Sequence, residues 1–82
     1  MNTMKTAYSK EFKNGKIIGF ETEFINYKPK GEIVCFVYEP VFNQAGSWDS
    51  RKRIEVRRFP IGEEVRAENY VKRMIRIEGD LI

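Results

Sequence analysis

The sequence predicts an α+β fold: a four-stranded antiparallel sheet in β-β-β-β-α order, a meander with one C-terminal helix on one face and a possible curl towards a partial barrel. Three observations carry this. Asn14-Gly15 separates two alternating segments, Ile33–Tyr38 is an unbroken apolar run, and an apolar stripe at helical spacing occupies only the end of the chain. At 82 residues the chain has room for one core, so residues 1–82 form a single domain.

Each element follows from local chemistry. Asn-Gly supplies the positive-φ pair of a type I′ turn, so Tyr8–Phe12 and Lys16–Phe20 are expected to pair as a hairpin. The second strand continues with Ile18, Phe20, Thr22 and Phe24 inward and Glu21 and Glu23 outward, the two glutamates reading as a solvated face. Lys28-Pro-Lys-Gly31 is a turn. Glu32–Glu39 lacks polar alternation and reads as a central strand buried on both faces, ended by Pro40. Val41–Ser50 is a long hairpin loop holding Phe42 and Trp48. Arg51–Phe59 alternates again and stops at Pro60.

The helix starts near Glu63. Ala67, Tyr70, Val71, Met74 and Ile75 form its apolar stripe, and Arg66, Asn69, Lys72, Arg73 and Arg76 its polar face. Val65 is placed as a staple on the first turn. Gly79 is the expected C-cap, with Arg73 and Arg76 complementing the C-terminal dipole.

One helix covers one sheet face, yet the central strand offers Ile33, Cys35 and Val37 to one side and Val34, Phe36 and Tyr38 to the other. Three solutions exist for the second side: curling, with Gly19 permitting the bend, a covering partner such as a homodimer mate, or use as a binding surface.

Composition narrows the chemistry. There is no histidine and one cysteine, which leaves no familiar zinc site and removes the usual general acid or base. No phosphate-binding glycine loop or nucleophile elbow occurs. Catalytic residues, metal and cofactor are therefore all expected to be none. Cys35 lies mid-strand and reads as an inert core thiol. With a lone cysteine and no apolar run in its first residues, the chain is expected in the cytoplasm. The longest apolar run is six residues, against about 20 for a membrane span, so no membrane role is expected.

Charge is the positive signal. Residues 1–50 are balanced, residues 51–76 carry nine bases against four glutamates, and all seven arginines fall between Arg51 and Arg76. On the fourth strand Arg51, Arg53, Arg57 and Phe59 are expected outward with Glu55, and Ile54 and Val56 inward. Lys52 and Arg58 lie near the strand ends. With Phe36 and Tyr38 beside this row, and Arg66, Lys72, Arg73 and Arg76 forming a second strip on the helix, the surface suits phosphates and bases. The same residues also fit a charged edge strand that resists aggregation. Trp48 reads as a loop anchor, or, if exposed, as a stacking group or hot spot.

Glu32–Glu78, read as strand, loop, strand and then Glu63-Glu-Val-Arg-Ala67 opening a helix, is similar to plant AP2-type domains and the arm-binding domains of phage-type integrases. In those, three strands precede one helix and the sheet enters a DNA groove. The resemblance implies DNA binding. The Asn14-Gly15 hairpin and the Val41–Ser50 loop depart from it.

The function expected is a small non-enzymatic module binding DNA or RNA. The alternative is a phage- or mobile-element-type inhibitor or adaptor that grips a host protein complex through Phe36, Tyr38, Trp48 and the arginines. A third reading is a histidine-free ribonuclease toxin.

Overall fold

The computed structural model describes residues 2–29 and 31–81. Strands β1 (Asn2–Glu11), β2 (Ile17–Ile25), β3 (Glu32–Phe42) and β4 (Trp48–Pro60) form one antiparallel sheet in the order β1-β2-β3-β4, followed by helix α1 (Glu64–Leu81). The predicted meander and helix are as expected. The sheet stays open rather than curling into a barrel, with β1 and β4 as its edges. Gly19 serves a different purpose from a bend: a Cβ there would strike the backbone of Tyr8 and Ser9, where β1 breaks register between Thr6 and Tyr8.

The turns differ from expectation in an orderly way. At the first hairpin only Gly15 has positive φ (93°), and Phe12 N–H donates to the Lys16 carbonyl at 2.8 Å. This is a three-residue loop closed by a left-handed glycine, not a type I′ turn. The β3–β4 loop repeats it: Gly46 has φ 83°, Asn43 N–H donates to the Ser47 carbonyl at 2.8 Å, and the Asn43 side chain accepts from the Ala45 N–H. The type I′ geometry appears instead at Asn26 (φ 52°) and Tyr27 (φ 66°), where Ile25 and Lys28 exchange backbone hydrogen bonds. The turn expected over residues 28–31 includes Lys30, outside the described residues. Its neighbour Lys28 already pairs back onto Ile25.

The expected long loop therefore shrinks to residues 43–47, and Pro40 does not end β3. The β2–β3 ladder ends at the pair Ile17 and Tyr38, so at Pro40 the strand has only β4 beside it. A missing N–H is tolerated where one flank is open. The β3–β4 hairpin overhangs the rest of the sheet.

Helix α1 buries Ala67 and Val71 on Ile18, Phe20, Ile33, Cys35, Val37 and Phe59, with Tyr70, Met74 and Ile75 half-buried around them. It continues through Gly79 to Leu81, so Gly79 is not the cap, and Val65 is exposed rather than a staple. The last turn holds no basic residue. Arg73 and Arg76 thus lie inside the helix, and Glu78 near its C-terminus is offset by Lys16, whose ammonium lies 2.8 Å away. Burial pushes the Cys35 thiol up to about 11, outweighing the nearby Arg57 charge. An unreactive thiol follows.

Tyr27 carries a left-handed backbone with its side chain 86% exposed, so the ring contributes little there. Tyr27→Gly restores the residue type that a type I′ turn favours and is expected to stabilise the fold by about 0.5–1 kcal/mol. Urea unfolding of the two proteins measures this, and a loss of stability would show that the ring contributes more than the backbone costs.

Candidate nucleic-acid interface

The register between β3 and β4 decides where the basic residues go. Ile33 pairs with Phe59 and Cys35 with Arg57, but Phe36 pairs with Glu55, so Val56 is an extra residue in a bulge. The bulge divides the strand. Arg51, Arg53, Glu55 and Arg58 face away from the helix with Val34, Phe36 and Tyr38, while Ile54, Arg57 and Phe59 lie on the helix side. The expected single row of Arg51, Arg53, Arg57 and Phe59 is therefore not formed. Strict alternation fails at Val56.

On the helix-free face, arginines and glutamates roof the apolar strand. Arg53 bonds Glu21 and also Glu55 at 3.0 Å. Arg58 lies 2.9 Å from Glu55 and 3.4 Å from Glu32. Beneath them Val34 and Phe36 are only 1% and 3% exposed, and the Arg53 guanidinium sits 5.8 Å from the Phe36 ring centre. Phe36 is thus not an available binding group. Half-buried Tyr38 makes an edge contact with it at 5.2 Å. Glu21, read from sequence as solvated, is buried under this roof.

Burial works against the Arg53 charge, but hydrogen bonds to Glu55 and Glu21 outweigh it and hold its pKa above the ordinary arginine value. Hydrogen bonds from Arg58 and then Arg53 hold the Glu55 carboxyl below the usual range.

Trp48 opens β4 rather than lying in a loop, and although 38% exposed it packs against the first hairpin. It covers Gly15, where a Cβ would come within 2.8 Å of the indole. Arg51 stacks on it at 4.6 Å while donating from Nε to the Gly15 carbonyl and pairing with Glu11. Lys52 is exposed opposite Glu39, away from both groups of arginines.

The other basic residues converge. Arg57 from β4 and Arg66, Lys72, Arg73 and Arg76 from α1 surround an open cleft of about 570 Å³, with Phe59, Asn69 and Tyr70 completing its lining. Arg57 lies over the Phe59 ring at 4.7 Å and the Tyr70 ring at 5.3 Å, and Arg66 lies over Phe59 at 5.5 Å. Arg66 pairs with Glu63 and Lys72 with Glu68, both as exposed helix-surface pairs. Among the described residues, Arg57, Arg73 and Arg76 have no carboxylate within ion-pair distance. Asn69 and Tyr70 were legible only as members of the helix faces. Nothing in the sequence marks them as lining a site, because the cleft exists only once the bulge turns Arg57 towards α1.

Among the described residues, no cluster of three His, Cys, Asp or Glu side chains could hold a metal ion, and no helix is long and apolar enough to cross a membrane. Comparison with protein-family models, curated proteins and solved structures gave no match.

Two outcomes test the roof. Arg53→Met keeps the apolar cover but strands buried Glu21, and is expected to cost about 1–3 kcal/mol in urea unfolding. Adding Glu21→Gln should recover part of that loss. Glu55 has its pKa lowered on folding, so its contribution is full above the unfolded value of about 4.3 and is lost as pH falls through the lower folded value. Glu55→Gln should therefore lower stability at neutral pH and flatten the acid limb below about pH 4.3. An unchanged acid limb would remove Glu55 from this role.

Proposed function

We propose that this chain is a non-enzymatic nucleic-acid-binding module that uses the exposed basic face of α1 together with Arg57. One observation carries the reading. Among the described residues, four of the seven arginines are held by carboxylates, and the other three, Arg57, Arg73 and Arg76, have none within ion-pair distance and line the same cleft. An unpaired guanidinium can take a phosphate without giving up an existing partner, and its planar fork suits two phosphate oxygens. Lys72 and Arg66 extend the basic surface at the cost of weak exposed pairs. The sheet's arginines are excluded from the interface because they already hold the fold together.

Fluorescence anisotropy across a salt series tests this. Three to five neutralised phosphates give a slope of log affinity on log salt of about −3 to −4.5 on duplex DNA. Arg73→Glu with Arg76→Glu should weaken binding at least about tenfold and reduce the slope by about 2. Lys52→Glu, which lies outside the cleft, should change affinity far less. Failure to bind duplex DNA, single-stranded DNA or RNA at low salt would overturn the reading, as would equal losses in the two variants.

A second reading, an inhibitor or adaptor of a host protein complex, is favoured by the overhanging β3–β4 hairpin. There Phe42 is 59% exposed beside Val41 and Trp48. A partner retained after nuclease digestion, and lost with Phe42→Ser but not with the Arg73 and Arg76 changes, would support it.

A further inference from the structure

We infer that the nucleic acid is B-form duplex DNA, that α1 lies in its major groove, and that Asn69 reads an adenine there. The inference rests on the nucleic-acid reading above and names its ligand.

Shape comes first. Among the described residues, helix α1 is the only element on its side of the sheet, and the backbone is only 15 Å through its thinnest direction. The helix is therefore a free-standing ridge. A helix with side chains is about 10–12 Å across, and the B-form major groove is about 12 Å wide and 8.5 Å deep. The ridge fits that groove, whereas the deep, narrow major groove of A-form RNA excludes it.

Next is the order of groups along the ridge. Arg66, Asn69, Arg73 and Arg76 are all exposed and fall at i, i+3, i+7 and i+10, one row along the outer face. Ten residues at about 1.5 Å each give a row of about 15 Å, equal to about four base-pair steps of 3.4 Å. Cations lie on both flanks. Lys72 reaches towards β1, its ammonium 5.8 Å from the Tyr8 ring, and Arg57 rises from β4 beside Tyr70. A helix in a groove meets a phosphate strand on each side, and these two residues stand where such strands would pass.

Asn69 is the row's only uncharged member. Its amide presents one donor and one acceptor edge, which match adenine N7 and N6, while arginines match guanine O6 and N7. At the cleft, single-stranded ligands are disfavoured by the aromatic groups that line it. Base stacking needs an open ring face, but Phe59 is buried, and Arg57 already lies over both Phe59 and Tyr70.

The test is selection from a random duplex pool with the full chain, followed by affinity measurements on the enriched sequence. The expected result is a core of about four base pairs containing adenine and guanine, preferred about tenfold or more over unselected duplex. Asn69→Ala should erase the adenine preference, so that duplexes with and without that adenine bind alike. Replacing that adenine by 7-deazaadenine, which removes the N7 acceptor, should cause the same loss in the unaltered protein. Duplex RNA of the same sequence should bind more weakly. No enrichment, a preference that survives Asn69→Ala or 7-deazaadenine, or tighter binding to single strands or duplex RNA would each overturn the inference while leaving general nucleic-acid binding standing. Absence of any binding would remove both.

Discussion

The structure depends on the need to bury β3 on both faces. Ile33, Cys35 and Val37 point one way and Val34 and Phe36 the other, and all five are buried in a sheet with a single helix. The helix supplies one cover. The other is built from side chains already on the sheet: the stems of Arg53 and Arg58 lie over apolar surface while their charged ends are held by Glu21, Glu32 and Glu55. Long basic side chains can cover apolar groups in this way because only the head group needs water or a partner. Individually, exposed pairs of this kind contribute little. Here their larger effect is to hold Arg53 in place over Phe36 and Arg58 beside Val34.

That use of arginine also sorts the charge. With uninterrupted alternation Arg51, Arg53 and Arg57 would share one face with Glu55, and Arg58 would take the other. The extra residue at Val56 exchanges the last two: Arg58 joins Arg51 and Arg53 on the side with acidic partners, and Arg57 passes to the helix side. Phe59 moves with it and joins the core, giving Arg57 and Arg66 an aromatic surface to lie on. One bulge thus joins the core, the neutral sheet face and the basic cleft.

The limits of the sequence follow from the same physics. The helix stripe of Ala67, Tyr70, Val71, Met74 and Ile75 and the doubly apolar run of β3 were legible because burial is written directly as spacing. Strand order was legible because each segment could pair with the next through a short connection. The turns were half legible. Gly15 does occupy a left-handed position, but the type I′ pair fell on Asn26 and Tyr27, a dipeptide whose second member ordinarily avoids that backbone. Pro40 and Gly79 misled because proline is harmless on an open strand flank and glycine within a helix costs only about 1 kcal/mol. The site was less legible than the fold. A bulge has no residue signature at Val56, and partners such as Arg53 and Glu21 are 32 positions apart.

The division between paired and unpaired cations also bears on how binding energy would arise. Arg66 and Lys72 begin from exposed pairs with Glu63 and Glu68, so exchanging a carboxylate for a phosphate brings them little net gain. Those same acids hold the two side chains near the cleft and repel a polyanion displaced towards the rim. Arg57, Arg73 and Arg76 have no carboxylate to give up among the described residues, so their phosphate contacts should supply most of the affinity and most of the salt dependence. Arg57 adds positional definition, because its guanidinium already lies over both the Phe59 and Tyr70 rings. A cation at the foot of the ridge and others along it would set the depth to which a ligand enters, leaving the outer row to contact whatever lies at that depth.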